Sequence, residues 1–438
     1  MSNFVGAGKF NIDLQYMRLA VPLVLFSFPV KVVSLVVLPL WILYEVSRQV
    51  VDKKIVLIFL GFGFLNLISV VVFHGFVFLL NSVLFYFFIS PIILFCLSRG
   101  APGTMNAETI KRVFEHYMIL QVAFSIFSVF FNLAMGRSFD VSFGDVVAGT
   151  FRNPFEYKAD SSNVMFVFTM VLVSVLYVVY FGRAANKILL LNVFFVIFLA
   201  SVNHLIMAVV FSFGIIFFSG KSGFLFKVGY FFAIFIVLLL ILYLYSVFQP
   251  LNFILVVDRF GYLYDVVLGN DDLAGLGFKG EYLSNFLRDF SSNWVKEIFI
   301  GDGAGVYSSR ASLFMTGEYV GGFGYANISE SMFGNTYPLW VDMKEAPPWL
   351  AGAFNYPYSS IFSFFYELGL VFTLLIFIFF YRRIKYLGFL ESKGYMFILI
   401  FLVLAGLVDN YYEYFQSFVI FFILTDALSK SWREYELE

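Results

Sequence analysis

Cysteine is almost absent from this chain of 438 residues, since Cys96 is the only one. A single cysteine cannot form an intrachain disulfide, so any exported part of the chain must be held together by packing alone. Histidine is also scarce, with His74, His116 and His204 as the three examples. The sequence contains no HExxH motif and no cysteine pair, and no serine triad can be read from it. It therefore predicts no metal site and no cofactor.

Charge is the second scarce property, because charged residues make up 13% of the chain and the formal net charge is −1. Such a balance gives no signal for nucleic-acid binding. Hydrophobic residues make up 61% instead, with 63 phenylalanines. This composition predicts a polytopic membrane protein. Apolar runs continue for about 20 residues without alternation, which favours helices over a β-barrel. No cleavable signal peptide is evident.

The apolar blocks predict an all-α bundle of about twelve transmembrane helices, within a range of about 10–14. Residues 18–47 form either two short helices with a turn at Pro29 and Lys31 or one kinked helix. The same ambiguity affects residues 187–219, where Asn203 and His204 stand at the candidate turn. The blocks cover residues 18–30, 32–47, 55–74, 76–97, 115–135, 163–182, 187–202, 204–219, 223–247, 359–381, 395–410 and 412–428.

Basic residues in four short connectors predict the orientation of the bundle. Placing all four connectors in the cytoplasm is self-consistent, and both chain ends are then cytoplasmic. Residues 136–162 and 249–358 then lie on the outer side. The basic residues are Arg48, Lys53 and Lys54, then Arg99, Lys111 and Arg112, then Arg183 and Lys187, then Arg382, Arg383, Lys385 and Lys393.

Residues 249–358 are the one long water-soluble stretch of the chain, with 14 of the 33 glycines and three of the five tryptophans. A disordered segment would be poor in aromatic residues. We therefore predict a folded, mainly helical periplasmic cap here. It separates the N-terminal transmembrane helices, residues 1–248 with their short loop at 136–162, from the C-terminal helices and cytoplasmic tail, residues 359–438.

Two glycine-containing stretches look like nucleotide-binding loops and fail the spacing test. Gly301, Gly303 and Gly305 do not match the dinucleotide fingerprint, so we expect a tight turn there. The stretch 220–222, Gly-Lys-Ser, would end a P-loop only with glycine at position 215, which is Ile215.

Several arginines on the predicted outer side are candidates for binding phosphate. Arg152 precedes Asn153 and Pro154, and an arginine outside a membrane helix can hold a phosphate with two parallel hydrogen bonds. The alternative is an interfacial arginine that extends to lipid headgroups. Surface ion pairing is the alternative for the arginines of the cap. The cap offers Arg259 beside Asp258, Arg288 beside Asp289, and Arg310.

Two acidic residues, Asp409 and Glu413, fall at the predicted outer turn between the last two helices. Ionisable groups at membrane depth are functional candidates, whereas groups at a turn are often simply solvated. Both interpretations stay open for these two residues.

The order of these parts resembles the bacterial O-antigen polymerase family (Wzy-type) and the related O-antigen ligases. Lys221 stands where the family has arginine, and the predicted topology places it in the cytoplasm. Ligases have a His-Asn pair nine residues before the last glutamate, whereas this chain has Tyr358 and Ser359, which favours a polymerase. The matching pieces are Arg152-Asn153-Pro154, Gly220-Lys221-Ser222-Gly223, Arg259, Arg288, Ile300-Gly301-Asp302-Gly303 and Tyr366-Glu367-Leu368-Gly369.

The resemblance implies glycosyl transfer between glycans carried on undecaprenyl diphosphate, at the outer face of the inner membrane. Preorganised arginines would meet the leaving diphosphate, and a carboxylate would accept the proton of the attacking hydroxyl. Arg310 has no family match and is expected to matter less than the other arginines. The catalytic candidates are Arg152, Arg288 and Asp289, and the substrate-binding candidates are Arg259, Asp258, Arg310 and Tyr358; Asp258 is the second candidate base.

The resemblance implies undecaprenyl-diphosphate-linked glycans, membrane lipids and a chain-length-regulating membrane protein as partners, and no nucleic acid. Trp294, Trp340 and Trp349 either stack on sugar rings or form the core of the cap. The alternative functions are an O-antigen ligase, a capsule or exopolysaccharide polymerase, a transporter of lipid-linked sugar and a non-enzymatic assembly partner. A transporter would line its path with charged residues in mid-helix, and few are present.

Overall fold

The computed structural model describes residues 13–29, 31–100, 105–136, 146–155, 162–219, 277–315, 328–345, 359–387 and 392–437, with isolated residues between 220 and 276. The described part is 84% helical and has no β-strand. Val51 and Ser98 form an isolated antiparallel β-bridge. The all-α class predicted from the apolar blocks is therefore confirmed for the described residues. The predicted block 223–247 lies almost wholly outside them.

The described helices follow the apolar blocks closely in the N-terminal half and are shorter within the cap. The first eight are α1 (Leu14–Phe26), α2 (Lys31–Arg48), α3 (Lys53–Phe73), α4 (Leu79–Leu97), α5 (Ala107–Ala134), α6 (Ser162–Phe181), α7 (Lys187–Leu199) and α8 (Asn203–Ser219). The others are α9 (Phe278–Ser292), α10 (Trp294–Phe299), α11 (Arg310–Met315), α12 (Glu330–Glu345), α13 (Ser360–Leu368), α14 (Leu370–Lys385), α15 (Ser392–Val408) and α16 (Phe415–Leu437).

Four helical stretches are long and apolar enough to cross a membrane: Lys53–Phe73, Phe76–Leu97, Ala107–Ala134 and Ser162–Ala184. α3 shows the pattern most clearly, because Leu57, Leu60 and Phe64 are each more than 60% exposed. A helix that directs large apolar side chains away from the protein is suited to a hydrocarbon environment. The transmembrane character predicted from composition is thus supported by these four stretches.

Both ambiguous regions contain two helices. α1 ends at Phe26 and α2 begins at Lys31, so Pro29 lies in a turn. α7 ends at Leu199 and α8 begins at Asn203. The single kinked helix that residues 18–47 also allowed is therefore wrong. Helices of 13 residues, such as α1 and α7, are about 20 Å long, which is shorter than a typical hydrocarbon core.

Apolar block 359–381 is one run in the sequence but two helices in the structure, α13 and α14, which meet at Gly369. The φ of Gly369 is +84°. A Cβ atom added there would lie 2.9 Å from the backbone nitrogen of Gly301. Glycine is required at this position because the chain turns through a left-handed conformation and another backbone lies against it. The apolar pattern alone does not reveal this break.

The described basic residues of two predicted connectors lie at one end of the bundle, here called the basic end. Arg99 forms an ion pair with Asp52, and its N–H donates to the carbonyl of Val50 at 2.8 Å. The guanidinium of Arg383 lies 5.7 Å from the ring centre of Phe95 near the end of α4. The opposite end, here called the loop end, receives the described parts of the cap.

Candidate functional site

The glycine-rich residues 301–309 form the centre of the loop end. Gly301, Gly303 and Gly305 have φ values of +74°, +122° and +77°. An added Cβ atom would lie 2.4 Å from the nitrogen of Gly369, 2.4 Å from a methyl of Val70 and 2.5 Å from the carbonyl oxygen of Asn81, respectively. Each glycine is therefore required both by its backbone conformation and by close approach. The turn expected from the sequence is present, and it is wedged between helices.

Polar side chains inside two apolar stretches hold this segment in place. Asn66 donates to the carbonyl of Glu367 at 2.6 Å and accepts from the N–H of Ala304 at 2.9 Å. A buried polar side chain in an apolar helix costs free energy unless it is hydrogen-bonded. The cost is offset here because each one binds the backbone of the segment. The others are Ser69 to the Gly301 carbonyl at 3.1 Å, Asn81 to the Gly305 carbonyl at 3.0 Å and Ser82 to the Ala304 carbonyl at 2.8 Å.

The carboxylate of Glu367 on α13 lies at the middle of the segment and is fully buried. Its Oε2 accepts from the N–H of Gly305 at 2.6 Å, and its Oε1 accepts from the N–H groups of Tyr307, Ser308 and Ser309 at 2.9–3.0 Å. Converging backbone N–H groups of this kind make an anion-binding concavity. The anion here is the protein's own carboxylate. The segment therefore does not present these N–H groups to a phosphate.

Glu413 plays the same part for the next two residues. Its carboxylate oxygens accept from the N–H of Arg310 at 2.9 Å and of Ala311 at 3.1 Å. Glu413 and Asp409 are 2% and 1% exposed. The interpretation of these two acids as solvated turn residues is therefore wrong, because the cap covers the turn that carries them.

Arg310 lies directly above this turn. Its guanidinium carbon is 3.9 Å from the ring centre of Tyr414, and Nη2 donates to the Tyr414 hydroxyl at 2.5 Å. A second cationic group reaches the same turn from α9, because Nζ of Lys279 donates to the carbonyl of Val408 at 2.7 Å. Burial lowers the pKa of Lys279 to about 7, and the nearby charge of Asp409 opposes that shift. The charges of both cations favour the ionised form of the Asp409 carboxylate.

The surroundings of the turn are aromatic and polar. His204 on α8 hydrogen-bonds to the hydroxyl of Tyr411. The ring of Tyr411 stacks on Phe168 of α6, with centroids 4.8 Å apart. Near the end of α3, His74 lies 3.1 Å from the carboxylate of Asp302, which also pairs with Lys296. Polar contacts within the protein thus account for both His74 and His204.

Asp302 and Glu297 are both buried, but their pKa values shift in opposite directions. Burial raises the pKa of Asp302, but hydrogen bonds and charge from His74 and Lys296 outweigh it and lower that pKa to about 2. Burial raises the pKa of Glu297 to about 8, reinforced by Asp302 and opposed by Lys296. Burial also raises the pKa of Asp289. Glu297 Oε2 and Asp289 Oδ2 accept no hydrogen bond from the described residues.

Replacement of Glu297 by glutamine should remove a pH dependence of stability. Between the ordinary pKa of 4.5 and about 8, the folded protein keeps a proton on Glu297 that the unfolded chain releases. Stability conferred by the wild-type residue therefore falls as pH rises through this window, by about 1.4 kcal/mol per unit at most. Glu297→Gln should melt higher than wild type near pH 8 and differ little near pH 5.

Thermal unfolding in detergent over that pH range measures the effect. Glu108→Gln is the matched control, because the Glu108 side chain is 63% exposed on α5. Parallel profiles for wild type and Glu297→Gln would contradict the expectation.

The structure separates the predicted arginines into different settings. Arg152 is 4% exposed, so protein encloses it and it does not extend to lipid headgroups as the alternative required. The turn before it is fixed on α5, where Gln121 binds both the N–H and the hydroxyl of Thr150. Gly149 in that turn donates to the hydroxyl of Ser125 at 3.0 Å.

Arg288 has a different environment, because its side chain is 65% exposed. It donates to Asn335 at 3.0 Å and lies 3.6 Å from Asp289. An exposed ion pair of this kind contributes little stability. Ten residues of α9, about 15 Å along the helix, separate Asp289 from Lys279 at the turn. Arg288 and Asp289 are thus neighbours, while Arg310 belongs to a different cluster.

The remaining predicted residues divide between the cap core and the undescribed parts. Trp340 is 4% exposed and packs with Leu313 and Met332, so it is a core residue. Trp294 is 56% exposed. Arg259, Asp258, Tyr358, Trp349 and Lys221 lie outside the described residues.

The sequence gives no signal for Lys279, and it ranks Arg310 below the other arginines. Lys279 is a single base in an amphipathic helix, and no motif distinguishes it. The pattern 366–369, Tyr-Glu-Leu-Gly, is visible in the sequence, but the contacts by which Glu367 holds residues 305–309 appear only in the fold.

No protein-family model, curated protein or solved structure matches this chain. The resemblance to O-antigen polymerases therefore rests on the layout and the short motifs described above.

Proposed function

We propose that this protein is an O-antigen polymerase, a glycosyltransferase that joins undecaprenyl-diphosphate-linked oligosaccharide repeat units at the periplasmic face of the inner membrane. It has about twelve spans, with both chain ends in the cytoplasm and residues 249–358 in the periplasm. A hydroxyl of the acceptor repeat unit attacks the anomeric carbon of the donor glycan. The new glycosidic bond forms as the bond to the diphosphate breaks, and undecaprenyl diphosphate leaves.

The observation that carries the proposal is the placement of Arg310 and Lys279 at the loop end. Both cations lie over the turn between α15 and α16. Phe168 of α6 packs on Tyr411 of this turn, and α3 contacts the cap at the same end of the bundle. A lipid-linked diphosphate is held at the level where apolar helices leave the membrane. Preorganised cations at that level stabilise the negative charge that develops on the leaving group.

The contacts of the half-buried Arg310 support this role. Its guanidinium is fixed on Tyr414 by a stacking contact and by a hydrogen bond, which leaves its plane oriented before a substrate arrives. Arginine presents several donors in one plane and suits phosphate oxygens. Arg152, which is 4% exposed, is proposed as a further phosphate-binding residue, with Arg288 or Arg259 completing the set.

Asp289 is proposed as the base, with Asp258 as the other candidate. Burial raises the pKa of Asp289. A general base works best when its pKa approaches the operating pH. One oxygen, Oδ2, is buried and accepts no hydrogen bond from the described residues.

The glycan profile of source cells that lack the protein tests the proposal. A polymerase mutant should keep one repeat unit on its lipopolysaccharide, whereas a ligase mutant should keep none. Loss of capsule with unchanged lipopolysaccharide would point to an exopolysaccharide polymerase instead.

Complementation with Arg152→Ala and Arg288→Ala, singly and together, tests the arginines. We expect sharply shortened polymer without loss of protein, because each variant removes a guanidinium that the proposal assigns to the diphosphate. Lysine should rescue poorly at either position. Full-length polymer from a well-expressed double variant would refute the roles given to these two residues.

A further inference from the structure

In the short helix α10 the exposed side is apolar and the acidic residue is buried, which is the reverse of an ordinary surface helix. Trp294, Val295 and Phe299 are 53–56% exposed, whereas the carboxylate-bearing Glu297 is 1% exposed. A helix on the water-facing surface of a protein directs its polar residues outward. The outward side of α10 is instead a contiguous apolar patch, of the kind that marks an interaction surface.

The apolar patch continues onto a membrane helix. Nζ of Lys296 lies 4.2 Å from the ring centre of Phe73, the last residue of α3. Phe73 and Val72 are themselves 54% and 67% exposed. α3 is one of the four stretches able to cross a membrane, and 22% of its 18-residue apolar stretch is buried inside the protein. α10 therefore lies at the level where a lipid-facing helix ends.

We propose that α10 is an interfacial anchor that inserts Trp294, Val295 and Phe299 into the headgroup–acyl boundary of the bilayer and so holds the cap against the membrane. The occupant of the patch is bilayer lipid, because the patch is continuous with the lipid-facing side of α3. Tryptophan and phenylalanine suit this boundary, where an amphipathic helix lies in the plane of the interface.

Lys296 completes the arrangement. Its ammonium group lies over the ring of Phe73 and pairs with the buried carboxylate of Asp302. The cation is thus neutralised within the protein, and the outward side of α10 stays free of charge. This inference depends on transmembrane character and does not depend on glycosyl transfer.

Tryptophan fluorescence in vesicles tests the anchor. The full-length protein is reconstituted in phosphatidylethanolamine–phosphatidylglycerol vesicles whose acyl chains carry bromine either near the glycerol or near the chain end. The emission of Trp294 is the difference between wild type and Trp294→Phe. We expect that difference to lose roughly half its intensity with bromine near the glycerol and clearly less with deep bromine, as for a side chain at the interface.

Trp340→Phe is the matched control, because Trp340 is 4% exposed inside the cap, and its emission should not be quenched by either lipid. Trp294 emission that no brominated lipid quenches would overturn the proposal. Quenching that disappears as the protein-to-lipid ratio rises would also overturn it, since a second copy of the chain would then cover the patch.

Discussion

Replacement of Arg310 by alanine is expected to abolish polymer beyond single repeat units, with the protein still present in the membrane. The substitution removes the guanidinium, and with it the stacking contact with Tyr414 and the hydrogen bond to the Tyr414 hydroxyl. Loss of one preorganised charged donor at a site of developing negative charge lowers a rate by about 10²–10³-fold. The effect should exceed that of Arg288→Ala, because the Arg288 side chain is 65% exposed.

Variants at the same position separate charge from geometry. Arg310→Lys keeps the charge but loses the planar contact, so it should restore little activity. Tyr414→Phe keeps the stacking surface and removes one hydrogen bond, so it should have an intermediate effect. Arg112→Ala is the matched control, since Arg112 is 58% exposed on α5.

Polymer length on gels and the melting temperature of the purified protein are the two measurements. A cation over an aromatic ring contributes about 0.5–2 kcal/mol, so a modest fall in melting temperature is expected as well. Normal polymer from a well-expressed Arg310→Ala variant would remove this residue from the site.

Glu367→Gln should destabilise the fold and stop polymer formation together. Glu367 supplies two acceptor oxygens to the N–H groups of Gly305, Tyr307, Ser308 and Ser309. Glutamine supplies one oxygen and an NH₂ group. Either the N–H of Gly305 or the N–H groups of Tyr307, Ser308 and Ser309 would therefore face the NH₂ group instead of an acceptor. Each buried donor left unsatisfied costs about 1–3 kcal/mol.

Loss of the Glu367 contacts should also displace Arg310. Arg310 directly follows the residues that Glu367 holds, so a shift of residues 305–309 moves the guanidinium away from Tyr414. Thermal unfolding and polymer length should therefore fall together in Glu367→Gln and further in Glu367→Ala. Glu281→Gln, at an exposed position in the first turn of α9, should change neither. Wild-type melting of Glu367→Gln would show that residues 301–309 are held by other contacts.

Much of the helical framework could be predicted from the sequence. The apolar blocks anticipated α3, α4 and α6 within a few residues, because hydropathy over about 20 residues is a local property that tertiary contacts rarely override. The helix α5 begins eight residues before its apolar block. The break at Gly369 was not visible, since it depends on the backbone of Gly301 lying against it.

The candidate site was predictable only in outline. Arg310 was identified as a candidate but ranked below Arg288, because neighbouring residue types say nothing about burial. Asp409 and Glu413 stayed ambiguous, since a turn at the end of a bundle is solvated unless another segment covers it. In the structure Arg310 and Lys279 provide that cover.

The sequence by itself determined a helical chain without intrachain disulfides, whose apolar runs are long enough to cross a membrane and are interrupted by one long polar segment. Composition and run length suffice for this because each helix satisfies its own backbone hydrogen bonds. The tertiary structure alone decided which carboxylates are enclosed and which cations reach them. Glu367 binds residues 305–309, and Glu413 binds residues 310 and 311. These contacts join distant parts of the chain, and their strength comes from a burial that exists only once the cap has closed on the bundle.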